Sequence, residues 1–389
     1  MSLYQLFKYE IRAIFTNSPL LLTVFGGVLF YSFLYPLPYA RQLPREQKVI
    51  VVNLDNSQLS RRLERMVDAT PQVRIVARAW SLAQAEKQMI AEKLAGFLVI
   101  PDHFYRDLLQ GREPVLAYAG DASYFLVYGT VLEGMMTAGK TLAAEVKVKR
   151  LISSGLPLES AKEKHDALTV GFHSLFNEAG GYVNYVIPAV FVLILHQTLI
   201  MGAGILAGGQ NEQLRRGENF YLRKSTPPAL LFVRSFIFFS IYALLSLYYY
   251  GPSFKLYDIP RLASIADLAM LSLPFLLSTT FLGIGLGVLL PRREIATLVI
   301  LLSSMPLVFA SGFIWPLSAI PVQILGLFQF IPAFSAIRAF VQLNQMGASF
   351  QQILPLVTQL LLLTALYGIT ALLLLTWKIR KISTSRQRK

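Results

Sequence analysis

Six apolar runs constrain this chain more than any other feature, because each is close to the length of about 20 residues that a helix needs to cross a hydrocarbon layer. They cover Pro19–Tyr39, Tyr182–Gly208, Leu230–Tyr250, Leu268–Leu290, Thr297–Trp315 and Ile353–Trp377. Composition agrees: 54% of the residues are hydrophobic and 15% charged, where a soluble globular chain carries about a quarter charged residues. The pattern predicts an α-helical polytopic membrane protein with six transmembrane helices. The first run follows a basic amphipathic segment and is long for a cleaved leader, which marks it as an uncleaved signal anchor. There is no cysteine, so disulfides, thiolate metal sites and cysteine nucleophiles are excluded.

The placement of Lys and Arg in short loops sets orientation. One side of the six runs collects Lys8 and Arg12, the group Arg215, Arg216, Arg223 and Lys224, the pair Arg292 and Arg293, and a C-terminal cluster from Lys378 to Lys389. The other side holds Lys255, Arg261 and Arg338. Both termini are therefore expected in the cytoplasm. This asymmetry accounts for the net charge of +14, and no nucleic-acid surface is needed to explain it.

Residues 41–178, between the first two runs, fall on the outer side with nearly balanced charge. Apolar segments at 49–54, 73–77, 96–101 and 115–119 alternate with amphipathic stretches at Ser57–Val67, Leu82–Lys93 and Phe104–Leu109. That alternation predicts an α/β extracytoplasmic domain with a partly parallel sheet, inserted between helices 1 and 2. Asn56 or Ser57 is the expected cap of its first helix. Leu142, Val146, Lys149 and Ile152 fit a long helix or helical hairpin returning to the membrane. Residues 1–18 place Leu3, Leu6, Phe7, Ile11 and Ile14 on one side of a helix lying in the membrane interface. The remaining domains are the first span over 19–40 and a five-helix membrane domain over 179–389.

Between the fifth and sixth runs, prolines 316, 321 and 332 interrupt an apolar segment. Proline removes an N–H and clashes with the preceding turn, so the outer loop 314–350 is expected to hold short broken helices. Irregular backbone at that depth persists only where protein or a water-filled cavity shields it.

Few residues suggest chemistry. GMMTAGKT, Gly134 to Thr141, matches the phosphate-loop pattern, but such a loop requires a buried strand before it and a helix after it. Here Tyr124 to Glu133 reads as helix, and the acidic candidates Asp55 and Asp102 precede the motif instead of following it. The histidines at 103, 165, 173 and 196 have no metal-ligand spacing, so no metal or cofactor is expected. His196 and Gln197 lie within the second run, where polar groups signal either a substrate path or interhelical hydrogen bonding. Gly204 with Gly208, and Gly283 with Gly287, are small-xxx-small pairs suited to close helix packing.

The connection NEQLRRGENFYLRKSTPPALLFVRS, 211–235, resembles the signature loop of type-2 ABC exporter permeases. The matching positions are Glu212, Arg216, Gly217, Leu222, Thr226, Pro227 and Arg234. Glu218 stands where that family usually has threonine, and the gap from Gly217 to Thr226 is one residue longer. The outer segments 51–63 and 94–111 are similar to the outer domain of bacterial drug and lipid efflux permeases of this class. The resemblance implies a coupling loop over 209–229, in which Glu212, Arg215, Arg216, Gly217, Glu218, Thr226 and Pro227 dock onto a separate cytoplasmic ABC ATPase subunit. It further implies an inner-membrane permease, without an ATPase of its own, that pairs with a second permease copy. Such an exporter moves a hydrophobic or amphipathic substrate by alternating access, in some relatives with a periplasmic adaptor and an outer-membrane channel. The substrate path would run between protomers along the second and fifth spans, past His196, Gln197, Pro316 and Pro332. Two alternatives remain: a secondary transporter, which needs charges or repeats inside the spans, and a membrane-anchored scaffold or receptor similar to phage-infection proteins.

Overall fold

The computed structural model describes residues 1–39, 44–160, 175–177, 181–216 and 221–387. The chain divides into two compact units, Met1–Gln42 with Ser174–Lys389, and Leu43–His173. The expected sites Gly217 and Glu218, and the histidines 165 and 173, lie outside the described residues.

Helix α1, Leu3–Phe15, opens on a capping box in which Ser2 and Gln5 satisfy each other's backbone amides. Its buried stripe is Leu6, Glu10 and Ile14, spaced four residues apart, while Leu3 stays 57% exposed. The stripe is thus rotated from the purely apolar one read in the sequence, and a glutamate sits at its centre. Helix α2, Ser18–Tyr39, starts with Asn17 capping Leu20 and contains a π turn over Leu22–Gly26.

The second unit is built on a four-stranded sheet of order β2-β1-β3-β4, from β1 (Gln47–Asn53), β2 (Val73–Ala79), β3 (Gly96–Ile100) and β4 (Ala117–Gly120). The first three strands run parallel and β4 antiparallel. Val49 to Val52 are fully buried because β1 is central and covered on both faces. The helices are α3 (Gln58–Asp68), α4 (Leu82–Glu92), α5 (Phe104–Leu109) and α6 (Phe125–Ser153). One face packs on Leu63 and Val67 of α3 and on Val131, Met135 and Leu142 of α6; the other packs on Ala85 of α4. Ser57 caps α3, its Oγ accepting from the Ser60 amide at 3.2 Å, while Asn56 takes a left-handed φ of 50°.

Gly134 to Thr141 lies in the middle of the 29-residue α6. Its amides are committed to helix carbonyls, and the Thr137 and Thr141 hydroxyls bond back to Glu133 and Thr137. A phosphate cradle needs free, converging amides, which a helix interior does not offer.

The first unit continues with α7 (Val183–Arg215), α8 (Pro227–Leu256), α9 (Ile265–Leu289), α10 (Arg293–Ala310), α11 (Val322–Phe328), α12 (Pro332–Gln345) and α13 (Phe350–Gln387). Among the described residues, six helices are long and apolar enough to span a membrane, or seven if the pair α11 and α12, bent by 94°, counts as one. Helix α12 is buried for most of its length against α7, α9 and α13. The proline-broken segment therefore folds back into the bundle. It can do so because Pro332 occupies the first turn of α12, where its missing N–H costs nothing.

Helix α7 is the hub, packing on α2, α8, α9, α10 and α12, and 89% of its most apolar window is buried. Glycines allow the close approach. A Cβ on Gly287 would stand 2.7 Å from that of Ala207, and one on Gly204 would stand 2.7 Å from that of Ala296. The same window of α10 is only 22% buried. Of the two helices expected to share a substrate path, α10 alone presents an open face.

Candidate functional site

The second span is longer than its apolar run suggests, because α7 continues through the polar residues 209–215. The expected coupling loop thus begins inside a helix. It resumes as a 3-10 turn over Tyr221–Lys224, and α8 starts at Pro227 with Thr226 as its cap position.

Four residues from different segments converge beneath this connection. The Arg234 guanidinium of α8 donates from Nε to Glu10 Oε2 at 2.8 Å and from a terminal nitrogen to Glu10 Oε1 at 2.7 Å. It also donates to Gln210 Oε1 on α7 at 2.9 Å. The Gln210 amide donates to the Tyr221 hydroxyl at 3.0 Å, and that hydroxyl donates to Glu10. Glu10 and Arg234 are 0% and 1% exposed. A charge taken out of water is costly unless paired and hydrogen-bonded, and here both Glu10 oxygens and two of the three Arg234 guanidinium nitrogens are engaged. Tyr9 stacks on the Tyr221 ring at 5.4 Å. Burial, reinforced by the Glu10 carboxylate, pushes the Tyr221 phenol well above its ordinary pKa, so its neutral hydroxyl accepts from Gln210 and donates to Glu10. The network ties α1, α7, the 3-10 turn and α8 together.

A second cluster lies one residue further along α7. The Asn211 side-chain amide donates to the carbonyls of Leu290 at 2.6 Å and Gly287 at 3.3 Å, at the end of α9. Lys378 of α13 donates to the Asn211 oxygen. Glu212 accepts the Arg293 amide at 3.1 Å, at the start of α10. Gly208 lies directly on this turn, and a Cβ there would meet Arg293 N at 2.7 Å.

The sequence-derived site residues separate into distinct groups. Arg215 and Arg216 are exposed at the end of α7, Thr226 is exposed and Pro227 half-buried. Glu212 is half-buried and turned onto α10. His196 is 3% exposed, and neither ring nitrogen has a hydrogen-bond partner among the described residues. The interhelical hydrogen bond considered for it is absent there. Gln197 is half-buried with its amide nitrogen unpaired. Pro316 is exposed before a short 3-10 turn, and Pro332 is buried at the head of α12.

Sequence reasoning singled out Arg234 but missed Glu10, Gln210, Asn211, Tyr221 and Lys378. A signal existed for Glu10, since it completes the spacing of Leu6 and Ile14. For the others none did, because their partners lie on helices remote in sequence.

A bundle of long apolar helices around a buried hub, with polar networks gathered at one end of that hub, defines a multi-pass helical membrane protein. The chain belongs to the ABC-2 family of transporter proteins, whose family model matches residues 18–373. No curated protein matches it. Membership makes it an ABC-2 permease, of a family whose members are generally non-catalytic membrane subunits, and implies partnering with an ABC ATPase subunit.

Proposed function

We propose that the chain is the membrane-spanning subunit of an ATP-driven exporter in a bacterial inner membrane. It pairs with a second permease copy and couples through the α7–α8 connection to cytoplasmic ATPase subunits. The observation that carries this reading is the buried Glu10–Arg234–Gln210–Tyr221 network. A loop that merely links two spans has no need of a fully buried ion pair beneath it. A loop that receives a push from a partner does, because a stiff, hydrogen-bonded polar network transmits displacement to the helices it joins. The exposed Arg215, Arg216 and Lys224 above it suit an acidic partner surface. Helices α1 and α8 would move with the loop, driving the rigid-body shift between inward- and outward-facing states.

The open apolar face of α10 suits pairing with a second copy, and the substrate class that fits an apolar path is hydrophobic or amphipathic. His196 has no hydrogen-bond partner among the described residues, so a passing polar group could engage it in the hub helix. A periplasmic adaptor and an outer-membrane channel are compatible additions to such an exporter.

The test is affinity purification of the tagged full chain from its own membrane. An ABC ATPase subunit should co-purify with the wild type and be lost from the Arg215→Glu/Arg216→Glu double variant, with insertion of both chains unchanged. Transport of substrate by a chain that binds no ATPase, or a wild-type chain that binds none and moves nothing, would favour the scaffold or secondary-transport alternatives.

A further inference from the structure

The two adjacent residues Asn211 and Glu212 divide their hydrogen bonds between opposite ends of the turn joining α9 to α10. Asn211 supplies a donor to the orphan carbonyls that close α9, and Glu212 supplies an acceptor to the orphan amide that opens α10. Each matches the polarity of the helix end it meets. Gly208, one turn earlier on α7, brings backbone against backbone at the same turn. Lys378 fixes the orientation of Asn211 by occupying its oxygen, so the amide hydrogens face the carbonyls. Helix α10 is otherwise lightly held: it packs chiefly on α7, and most of its apolar window is open.

We infer that the end of α7 and the α9–α10 turn form one rigid lever, in which Glu212 is a positioning residue for α10 and not a contact for the ATPase. This rests on the coupling reading above, and gives it a second route. A push on the α7–α8 connection moves α8 and α1 through Arg234 and Glu10, and moves α10 through Asn211, Glu212 and Gly208. Helix α10 has an apolar face open to a second copy or the lipid, as α13 also does.

The inference separates from docking because a cap needs an acceptor and docking to a partner needs a charge. In the full chain in lipid nanodiscs, hydrogen exchange at the Arg293 amide should rise about fivefold or more in Glu212→Ala, as the loss of a helix cap implies. It should stay near wild type in Glu212→Gln. With the ATPase subunit that co-purifies with the wild-type chain, Glu212→Gln should retain substrate-stimulated hydrolysis and Glu212→Ala should lose most of it. Spin labels on cysteines at the exposed positions Gln213 and Leu298 should keep one distance distribution with and without ATP. The inference is overturned if Arg293 exchange is unchanged in Glu212→Ala. It is equally overturned if Glu212→Gln uncouples while that amide stays protected, or if the label distance shifts with nucleotide. Failure of the coupling reading is seen separately, as a wild-type chain that binds no ATPase while Arg293 still responds to Glu212→Ala.

Discussion

Glu10 and Arg234 meet as a two-pronged ion pair at 2.7 and 2.8 Å although 224 positions separate them in the chain, and water reaches neither. The pair joins the amphipathic N-terminal helix to the third span. Removing one member leaves the other charge buried and unpaired, which costs about 3–5 kcal/mol, whereas removing both together costs far less. Glu10→Gln and Arg234→Met should each lower the thermal midpoint of the detergent-purified chain sharply, and the double variant should recover part of the loss. Single variants as stable as the wild type would mean that the pair is solvated in the membrane-embedded protein.

The glycines of the hub differ in what a methyl group would strike. At Gly287 an added Cβ would lie 2.7 Å from the Ala207 side chain, whereas at Gly209 nothing lies within 4 Å. Gly287→Ala should therefore destabilise by roughly 1–3 kcal/mol through overpacking. Gly209→Ala should be neutral or stabilising by about 0.5–1 kcal/mol, because alanine is the better helix former. Thermal unfolding of both variants side by side checks the ranking, and an equal effect would contradict the close α7–α9 contact.

Lys140 is exposed on α6, inside a helix that leaves no amides free for phosphate. Lys140→Ala should leave ATP hydrolysis by the purified transporter and ATPase complex unchanged. Loss of hydrolysis with the complex intact would restore the phosphate-loop reading of Gly134 to Thr141.

On the charge asymmetry of the loops we propose that residues 41–178 lie outside the cytoplasm. Gln58 and Gln110 are both exposed in their unit, and the chain has no cysteine of its own. Single cysteines at these positions should react with a membrane-impermeant thiol reagent in cells whose outer membrane alone is permeabilised. Reaction only after the inner membrane is broken would reverse the orientation.

Much of the architecture was legible in the sequence because its signals are local. Apolar runs announce spanning helices by length alone, and the alternation over 49–119 announced a small α/β layer whose first helix would be capped by Asn56 or Ser57, of which the structure uses Ser57. The third apolar run, read from Leu230, fell within a few residues of the start of α8 at Pro227. The end of α7 was misjudged, because the apolar run stops at Gly208 while the helix continues to Arg215. Polar residues can extend a helix once its end is fastened by tertiary contacts, and hydropathy does not register those contacts. The proline-broken segment was read as an outer loop. Its prolines reveal a break in the helix, but only packing against α7, α9 and α13 shows that α12 is buried.

The sequence by itself determined that this chain is a multi-pass membrane protein, because segment length and composition are properties of residues taken in order, while its ABC-2 membership rests on the family model that matches residues 18–373. Tertiary structure alone decided which polar residues matter. The sequence reading did not single out Glu10 within residues 1–18, Gln210 and Asn211 within the 209–229 connection, or Lys378 within the C-terminal basic cluster. Buried polar groups are stabilised by partners converging from several directions, and that convergence exists only once α1, α7, α8, α9 and α13 have packed.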